Sequence, residues 1–330
     1  MTAPADPPSA APSRGFALSR ERFGDRIDFF APGLKRYSTS EFAPKNPRAF
    51  LPVSVTGSAC ALQCDHCSAK VLEGMISVTP DRSLFDTAAE LHAAGTKGML
   101  VSGGSQRTGR VPLLRHVPDI QRIKAELGMR VICHVGYPDR ATADALAAAG
   151  VDGAMIDVIG SDDTLKDVYH LPLTVADVER SIASLADAGL RIIPHIVLGL
   201  HYGKFLGEHD ALAIIGRYPV WTLILVVLTP LVGTPMGHLP PPDTGEVVAF
   251  FHTAREAMNQ TRVHLGCARP LGDVKVCLDR AAVDAGFNGI AYPADGTIAY
   301  AESRGLTPRL FDGCCSMTWA DFAEDPEDLP

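Results

Sequence analysis

The 330-residue sequence predicts an α/β protein of the TIM type, a full or nearly full (β/α)8 barrel. Short β-branched runs alternate with segments that carry apolar residues at helical spacing, a pattern typical of a parallel sheet. Several helical segments are followed by glycine, which commonly ends a helix, as at Gly95, Gly150 and Gly189. About eight such units fit a closed barrel. An open or partial barrel is the alternative, because the last two units have the weakest patterns.

The predicted strands and helices alternate from residue 50 onward. Strands are expected at residues 52–57, 98–102, 130–135, 153–159, 191–200, 222–228, 262–266 and 289–292. Helices are expected at residues 84–94, 141–149, 175–188, 245–258 and 273–285. Because catalytic residues of such barrels lie in the loops that follow the strands, those loops are the expected location of the functional site.

Three regions are expected along the chain. Residues 1–49 are predicted to form a flexible N-terminal extension, whose first residues are rich in Pro, Ala and Ser. Residues 50–295 are predicted to form the barrel domain, and residues 296–330 a C-terminal tail that covers the barrel mouth. No apolar stretch is long enough to span a bilayer, and the N-terminus lacks the apolar core of a signal peptide. The sequence therefore predicts a cytoplasmic protein with no membrane partner.

Charge and cysteine content restrict the class of function. The formal net charge is −8, which argues against non-specific nucleic-acid binding as the main activity. The chain has eight cysteines and no predicted export signal. Disulfides are therefore a poor explanation for these cysteines, and metal binding or catalysis is a better one.

Three of the cysteines follow the first predicted strand with the spacing C-x3-C-x2-C, at Cys60, Cys64 and Cys67. Thiolates are soft ligands that favour zinc or iron–sulfur clusters. A structural zinc ion usually takes four protein ligands, and no nearby cysteine or paired histidine supplies the fourth. Three ligands on a four-iron cluster would leave one iron open for a substrate or cofactor. A zinc site or a chance grouping is the alternative.

This cysteine loop resembles the signature loop of the radical S-adenosylmethionine (SAM) superfamily. The resemblance implies a four-iron, four-sulfur (4Fe-4S) cluster on the three cysteines, with SAM bound to the open iron. In that family one electron, from a reductant protein such as a ferredoxin or flavodoxin, cleaves SAM to a 5′-deoxyadenosyl radical that abstracts a substrate hydrogen. His66 fills a position that is usually aromatic in the family, and the resemblance implies that it stacks on adenine.

The same resemblance implies further SAM contacts along the barrel. Ser102, Gly103, Gly104 and Ser105 match the family's Gly-Gly-Glu segment, whose backbone holds the methionine amino group, although Ser105 replaces the acidic residue. A plain tight turn is the alternative at this position.

Three residues at the ends of the fourth and fifth predicted strands complete the expected cofactor site. Asp157 is expected to bond the ribose hydroxyls, with a capped strand end as the alternative. His195 and Gly199 lie on the strand that resembles the family's adenine-facing strand. A histidine that merely packs and forms a hydrogen bond is the alternative for His195.

A second set of cysteines is expected near the barrel mouth. Cys267 follows the seventh predicted strand, and Cys314 and Cys315 lie in the predicted tail. A tail folded over the mouth would bring these thiols together, where they would suit an auxiliary iron–sulfur cluster. Free thiols are the alternative. Cys133 and Cys277 are expected to be structural, and Cys277 is expected to lie in the core.

Over residues 50–317 the order of features resembles the biotin synthase and lipoyl synthase side of the superfamily. The two-component lipoyl synthase proteins are the most similar, on the residues at 53–57, 102–112, 194–203 and 266–270. This resemblance implies sulfur insertion into an octanoyl chain, an octanoylated carrier protein and a related partner chain. Biotin-synthase-like sulfur insertion, methylation, isomerisation, cofactor maturation and a non-catalytic iron–sulfur protein are the alternatives.

Overall fold

The computed structural model describes residues 12–317, which are built around one parallel sheet of eleven strands. The strands are β1 (Arg26–Phe30), β2 (Phe50–Ser54), β3 (Ile76–Ser77), β4 (Gly98–Ser102), β5 (Arg130–His134), β6 (Gly153–Asp157), β7 (Ile192–Leu198), β8 (Thr222–Val227), β9 (Arg262–Leu265), β10 (Gly289–Ala291) and β11 (Thr307–Phe311). The α-helices are α1 (Arg14–Phe23), α2 (Leu84–Ala93), α3 (Val117–Arg122), α4 (Arg140–Ala148), α5 (Asp162–Asp167), α6 (Val175–Asp187), α7 (Glu208–Ile215), α8 (Thr244–Ala257), α9 (Asp273–Ala285) and α10 (Thr297–Ser303).

The strand order across the sheet is β11-β1-β10-β9-β8-β7-β6-β5-β4-β2-β3, and all neighbours are parallel. This arrangement confirms the predicted TIM-type α/β fold. Within residues 12–317, the edge strands β11 and β3 do not pair with each other, so the sheet forms a half-barrel rather than a closed ring. The open alternative therefore describes the sheet better than full closure.

Local sequence explains why these segments become strands and helices. Strand β8 reads Thr-Leu-Ile-Leu-Val-Val and is buried along nearly its whole length, as expected for a strand covered on both faces. Helix α6 begins at a capping box formed by Thr174 and Asp177, and it buries one face through Val178, Ile182 and Leu185. Buried strands and helices with one buried face therefore alternate along the chain, as the barrel prediction requires.

The N-terminal part of the chain corrects the expected domain boundaries. Residues 14–30, predicted as part of a flexible extension over 1–49, instead form α1 and β1, and β1 lies between β10 and β11 in the sheet. Ser13 caps α1 and donates a hydrogen bond to the carbonyl of Asp284 at 2.7 Å. The first strand of the chain is therefore part of the barrel core.

The C-terminal region needs a similar correction. Residues predicted as a tail over 296–330 include α10 and β11, and β11 pairs with β1 at one edge of the sheet. The chain then turns, and Cys314 to Met317 are buried beside the barrel interior. The rest of the predicted tail, residues 318–330, lies outside the described residues.

Within residues 12–317, no helix is both long and apolar enough to cross a bilayer.

Strand β1 provides a test of the corrected boundary. Phe29 is fully buried on β1, so Phe29→Ala is expected to lower the free energy of unfolding by about 3–5 kcal/mol. Leu310→Ala on the neighbouring strand β11 is the control, because Leu310 is 47% exposed, and its expected cost is about 1 kcal/mol or less. Chemical denaturation of both variants measures the difference. Equal costs would contradict a core role for β1.

Candidate active site

The C-x3-C-x2-C loop follows β2 at the carboxyl end of the sheet. Cys64 is buried, and Cys60 and Cys67 are half-buried. The backbone nitrogens of Cys67 and Ser68 both donate to the carbonyl of Cys64, at 3.1 and 2.8 Å, which folds the loop tightly around this residue. The loop is thus a compact turn that presents three thiols from one short segment.

Two of these thiols influence each other's ionisation. A hydrogen bond from Cys64, together with His66, outweighs burial and lowers the pKa of the Cys67 thiol to about 4. The same contact, with burial, raises the pKa of Cys64 above its ordinary value. The pair therefore readily carries one thiolate at neutral pH, and thiolates are the form that binds metal.

The donor set fits an iron–sulfur cluster better than a single ion. Within residues 12–317, no three His, Cys, Asp or Glu side chains converge closely enough to share one metal ion. A 4Fe-4S cluster bonds each cysteine to a different iron, so its ligands lie farther apart than those of one zinc ion. Three soft thiols on a short loop, one of them readily ionised, match that requirement.

The glycine segment after β4 packs directly on the cysteine loop. A Cβ at Gly104 would lie 2.0 Å from the Ala59 carbonyl oxygen and 2.5 Å from Cys60 Cα, so only glycine fits. Gly104 N–H donates to Thr56 Oγ1 at 2.7 Å, and Ala61 N–H donates to the Ser105 carbonyl at 2.9 Å. Gly103, Ser102 and Ser105 flank this contact, and their role in binding methionine remains a prediction.

A clamp of side-chain contacts fixes the middle of the cysteine loop. Asp65 contacts His170 Nε2 at 2.9 Å and accepts a hydrogen bond from the Tyr202 hydroxyl at 2.7 Å. His170 and Tyr202 both adopt left-handed backbone conformations, with φ of 56° and 53°, which non-glycine residues seldom adopt. This clamp was missed by the sequence analysis, because the partners lie 105 and 137 residues from Asp65 and no local pattern connects them.

A group of polar side chains extends from the cysteine loop into the barrel. The Tyr169 carbonyl lies 3.8 Å from Cys64 Sγ. The Tyr169 hydroxyl lies 3.4 Å from Asp157 Oδ2. Asp157 in turn lies 3.5 Å from His134 Nε2, and the His134 and His195 rings are 6.1 Å apart. The structure thus brings the predicted residues Asp157 and His195 together and adds His134 and Tyr169, which the sequence analysis had not assigned to the site.

Mutual contacts set the charges in this group. Burial raises the pKa of Asp157, but the adjacent His134, with His195 and His66, outweighs burial, so the net pKa is lowered. Burial lowers the pKa of His134, and the charge of Asp157 outweighs it, so the net pKa is raised. Burial lowers the pKa of His195 to about 4 despite Asp157. At neutral pH, Asp157 is therefore ionised and His195 is neutral.

Two other predicted cofactor contacts have clear surroundings. The His66 ring lies 5.1 Å from the Tyr169 ring, and its Nδ1 is buried without a hydrogen-bond partner among the described residues. The Gly199 N–H donates to Glu208 at 2.9 Å, and a Cβ at Gly199 would lie 2.4 Å from Pro242. His66 thus retains a free polar atom for a ligand, whereas Gly199 is explained by close packing; contact of either with adenine remains a prediction.

The second cysteine set meets inside the barrel mouth. The sulfur atoms of Cys267 and Cys315 lie 3.7 Å apart, and Cys314 is buried beside them. The Cys315 carbonyl lies 2.7 Å from His264 Nδ1 on β9, which anchors this turn to the sheet. The expected meeting of the tail cysteines with Cys267 is therefore present, while a cluster on them remains a prediction.

The two cysteines predicted to be structural have different surroundings. Cys133 is fully buried on β5. Cys277, which was expected in the core, is exposed on α9, so that expectation is wrong. The helical spacing identified α9 but did not indicate which of its faces packs on the sheet.

An apolar cavity of about 200 Å³ lies beside His195 and the second cysteine set. Its polar or thiol-bearing lining comes from His195, Cys267, Cys314, Cys315 and Ser316. The remaining lining residues are apolar: Pro32, Leu34, Phe50, Pro52, Leu100, Met155, Ile224, Val226 and Ala268. The cavity therefore joins the interior histidine to the second cysteine set.

The sequence model of the Radical SAM superfamily matches residues 54–214, which include the cysteine loop, Gly104, Asp157 and His195. This segment of the chain is thus similar to the Radical SAM superfamily. The predicted cofactors of the first cysteine set, a 4Fe-4S cluster and SAM, agree with this family.

Curated relatives and solved structures are also similar to this chain. Biotin synthase of Synechococcus sp. (strain JA-3-3Ab) is 28% identical over 232 residues, covering 66% of this chain and 71% of the relative. Biotin synthase of Halorhodospira halophila (strain DSM 244 / SL1) is 25% identical over 240 residues, covering 69% of this chain and 71% of the relative.

Among solved structures, methylornithine synthase (PylB) has a TM-score of 0.62 at 14% identity, covering 93% of this chain and 88% of that chain. The FeFe-hydrogenase maturase HydG from Carboxydothermus hydrogenoformans has a TM-score of 0.61 at 13% identity, covering 89% and 70%. At these identities the likeness is one of fold.

The contact between Gly104 and the cysteine loop predicts a specific defect. Gly104→Ala is expected to displace the loop and abolish iron binding by Cys60, Cys64 and Cys67, because the added methyl group meets backbone atoms that cannot yield cheaply. Gly74→Ala is the matched control, since a Cβ there meets nothing within 4 Å. Iron per chain after anaerobic reconstitution measures the effect, and circular dichroism checks folding. Full iron content in a folded Gly104→Ala protein would contradict this account.

The Asp157–His134 contact predicts a pH effect. In Asp157→Asn the pKa of His134 is expected to fall below its ordinary value, because burial is then unopposed. The stability that the pair contributes is present between about pH 4 and about pH 6.5 and is lost as pH rises through the raised histidine pKa. NMR titration of the His134 ring in the apoprotein measures the shift. An unchanged titration would mean that another group sets this pKa.

Proposed function

We propose that this protein is a radical SAM enzyme that inserts sulfur into an octanoyl chain, as a lipoyl synthase does. The observation that carries the proposal is the apolar cavity between His195 and the second cysteine set. A chain lying there would have the radical-generating side at one end and thiols at the other. A reductant protein such as a ferredoxin or flavodoxin, an octanoylated carrier protein and a related partner chain belong to the same proposal.

A continuous series of contacts supports this arrangement. Cys64 contacts Tyr169, Tyr169 reaches Asp157, and Asp157 with His134 lies beside His195. His195 lines the cavity whose other wall includes Cys267 and Cys315. This series of contacts runs from the first cysteine loop to His195, and His195 lies at the wall of the cavity, so a substrate in the cavity would lie between His195 and the second cysteine set.

The lining favours an aliphatic substrate. Burying a polar group without a hydrogen-bond partner is costly, so a cavity with so few polar atoms selects hydrocarbon. Its volume of about 200 Å³ is smaller than the usual pocket of a drug-sized ligand and suits an aliphatic segment. An octanoyl chain meets both conditions.

The residues of this chain have distinct roles in the proposal. Cys60, Cys64 and Cys67 would hold the SAM-binding 4Fe-4S cluster, and Cys267, Cys314 and Cys315 would hold an auxiliary cluster. When bound, the first cluster with SAM would supply a hydrogen-abstracting radical, and the second would supply sulfur. Asp157 would orient a polar hydroxyl pair through its ionised carboxylate. The apolar walls, including Leu100 and Met155, would exclude water.

Sulfur insertion of the biotin synthase type is the second candidate, because the curated relatives carry that name. Biotin has a polar ureido ring and a carboxylate, and both would need buried partners. Within residues 12–317, the cavity lining offers only His195, Ser316 and thiols as polar side chains. The lining therefore favours the octanoyl chain over the biotin precursor.

The test compares iron content and product in Cys267→Ser. The wild type is expected to bind about eight irons after anaerobic reconstitution and Cys267→Ser about four. The variant is expected to keep cleaving SAM to 5′-deoxyadenosine while sulfur insertion into an octanoyl-lysine substrate falls to background. Mass spectrometry of the substrate and chromatography of 5′-deoxyadenosine provide the measurements.

Cys277→Ser is the matched control, because Cys277 is exposed and lies outside both cysteine sets. It is expected to behave as the wild type. About four irons in every variant would exclude an auxiliary cluster. Sulfur insertion into the biotin precursor but not into octanoyl-lysine would favour the second candidate. Intact SAM in the reduced wild type would overturn radical chemistry altogether.

A further inference from the structure

Tyr137 carries a buried hydroxyl whose role the sequence does not indicate. The residue lies in the turn that follows β5, at the same end of the sheet as the cysteine loop. It is only 6% exposed, and among residues 12–317 its hydroxyl has no hydrogen-bond partner. Burying a polar group without a partner is unfavourable for folding, so such a group calls for an explanation. A bound ligand that completes the hydrogen bond would provide one.

Two glycines fix the position of the Tyr137 ring. The Tyr137 N–H donates to the Gly109 carbonyl at 3.1 Å. A Cβ at Gly109 would lie 2.8 Å from Tyr137 Cδ2, and a Cβ at Gly136 would lie 2.2 Å from the Gly109 carbonyl oxygen. Both glycines have positive φ, of 80° and 63°, which favours glycine at these positions. The ring is therefore packed closely against one turn, which limits where its hydroxyl can reach.

The surroundings of the hydroxyl show which groups it faces. Burial raises the pKa of Tyr137 well above its ordinary value, and the nearby Asp157 carboxylate and Cys64 thiol raise it further. Burial likewise raises the pKa of Tyr169, and Asp157 and Tyr137 raise it further. The two tyrosines therefore face Asp157 together. Because it keeps its proton at neutral pH, the Tyr137 hydroxyl is a hydrogen-bond donor next to that carboxylate.

Asp157 has hydrogen-bonding capacity that its protein contacts leave unused. Its Oδ1 lies 3.5 Å from His134 Nε2, and its Oδ2 lies 3.4 Å from the Tyr169 hydroxyl. Hydrogen bonds to an ionised carboxylate are normally about 2.5–2.9 Å long, so both contacts are long. An ionised carboxylate can only accept hydrogen bonds. Asp157 is therefore suited to a ligand group that donates.

Its location distinguishes Tyr137 from other unpartnered hydroxyls. Within the part of the chain that the structure describes, Thr96 and Thr222 also have buried hydroxyls without a partner. Thr96 precedes β4 and Thr222 begins β8, so both lie at the amino end of the sheet, away from the cysteine loop. The Nδ1 atom of His66, by contrast, is a second unpartnered atom within that loop. Unpartnered polar atoms thus accompany the site where a ligand is expected.

We propose that Tyr137 is a further cofactor-binding residue, whose hydroxyl donates to a ribose oxygen of SAM while Asp157 accepts from the ribose hydroxyls. A hydroxyl group both donates and accepts hydrogen bonds, so a vicinal pair satisfies the tyrosine donor and the carboxylate acceptor together. The methionine carboxylate of SAM only accepts and cannot satisfy both residues. This inference rests on the SAM chemistry of the proposed function and adds a residue to it.

Equilibrium dialysis of labelled SAM against the anaerobically reconstituted protein tests the proposal. Tyr137→Phe is expected to bind SAM about tenfold more weakly than the wild type, as for the loss of one hydrogen bond. Iron per chain is expected to stay unchanged. The apoprotein of this variant is expected to melt at or above the wild-type temperature, because the substitution removes an unpartnered hydroxyl.

Thr222→Val is the matched control, because it also removes a buried hydroxyl that has no partner among the described residues. Its SAM affinity is expected to equal that of the wild type, since Thr222 lies at the opposite end of the sheet. A SAM analogue without the two ribose hydroxyls locates the contact. Tyr137→Phe is expected to bind this analogue as well as the wild type does, because the contact is then already absent.

The possible failures are distinguishable. Equal SAM affinity in the wild type and Tyr137→Phe would overturn this inference alone. A lower melting temperature of the Tyr137→Phe apoprotein would also overturn it, since the hydroxyl would then have a structural partner. An equal loss of affinity for SAM and for the analogue would place the contact outside the ribose. A wild-type protein that holds its cluster but binds no SAM would overturn the proposed function together with this inference.

Discussion

The uniform direction of the strands is the constraint on which the rest of this structure depends. Each strand of the half-barrel runs parallel to its neighbours, so every strand ends at the same edge. The cysteine loop after β2, the glycine segment after β4, Asp157 at the end of β6 and Cys267 after β9 therefore share one face, although they are spread over more than 200 residues. Close packing, such as that of Gly104 against Cys60, then fixes the positions of these loops relative to one another.

Polar and apolar surroundings lie next to each other on that face. Near the cysteine loop, the ionised Asp157 and its histidines form a compact polar group, and farther along the lumen the walls become apolar. Low polarity strengthens the interactions of the buried carboxylate and makes unpartnered polar atoms costly. The site thus has a polar part around Asp157 and an apolar part along the cavity. This division is the physical basis for the proposed choice of substrate.

Sequence periodicity predicted the repeating part of this fold well, because each predicted strand depends on short-range burial. Residues 98–102 are predicted and observed as a strand with identical bounds. Strand β1 was missed because its place is decided by pairing with β10 and β11, which lie more than 250 residues away. The functional site likewise has one part that a local motif predicts and another that depends on contacts distant in sequence. The cysteine loop is a local motif and was predictable, whereas Asp65 finds His170 and Tyr202 only in the folded chain.

The position of β1 also has a consequence for the order in which the barrel can form. Asp28 is aligned with Gly289 on one side and Arg309 on the other, so β1 has its partners more than 250 residues farther along the chain. Until then, the hydrogen-bonding groups of residues 26–30 and the side of β9 that later receives β10 lack their sheet neighbours. The sheet can therefore be completed only after residues 289–311 have been made, and contacts of such long range slow folding. During that interval the nascent chain exposes an unpaired apolar strand, which makes protection from aggregation part of its biogenesis.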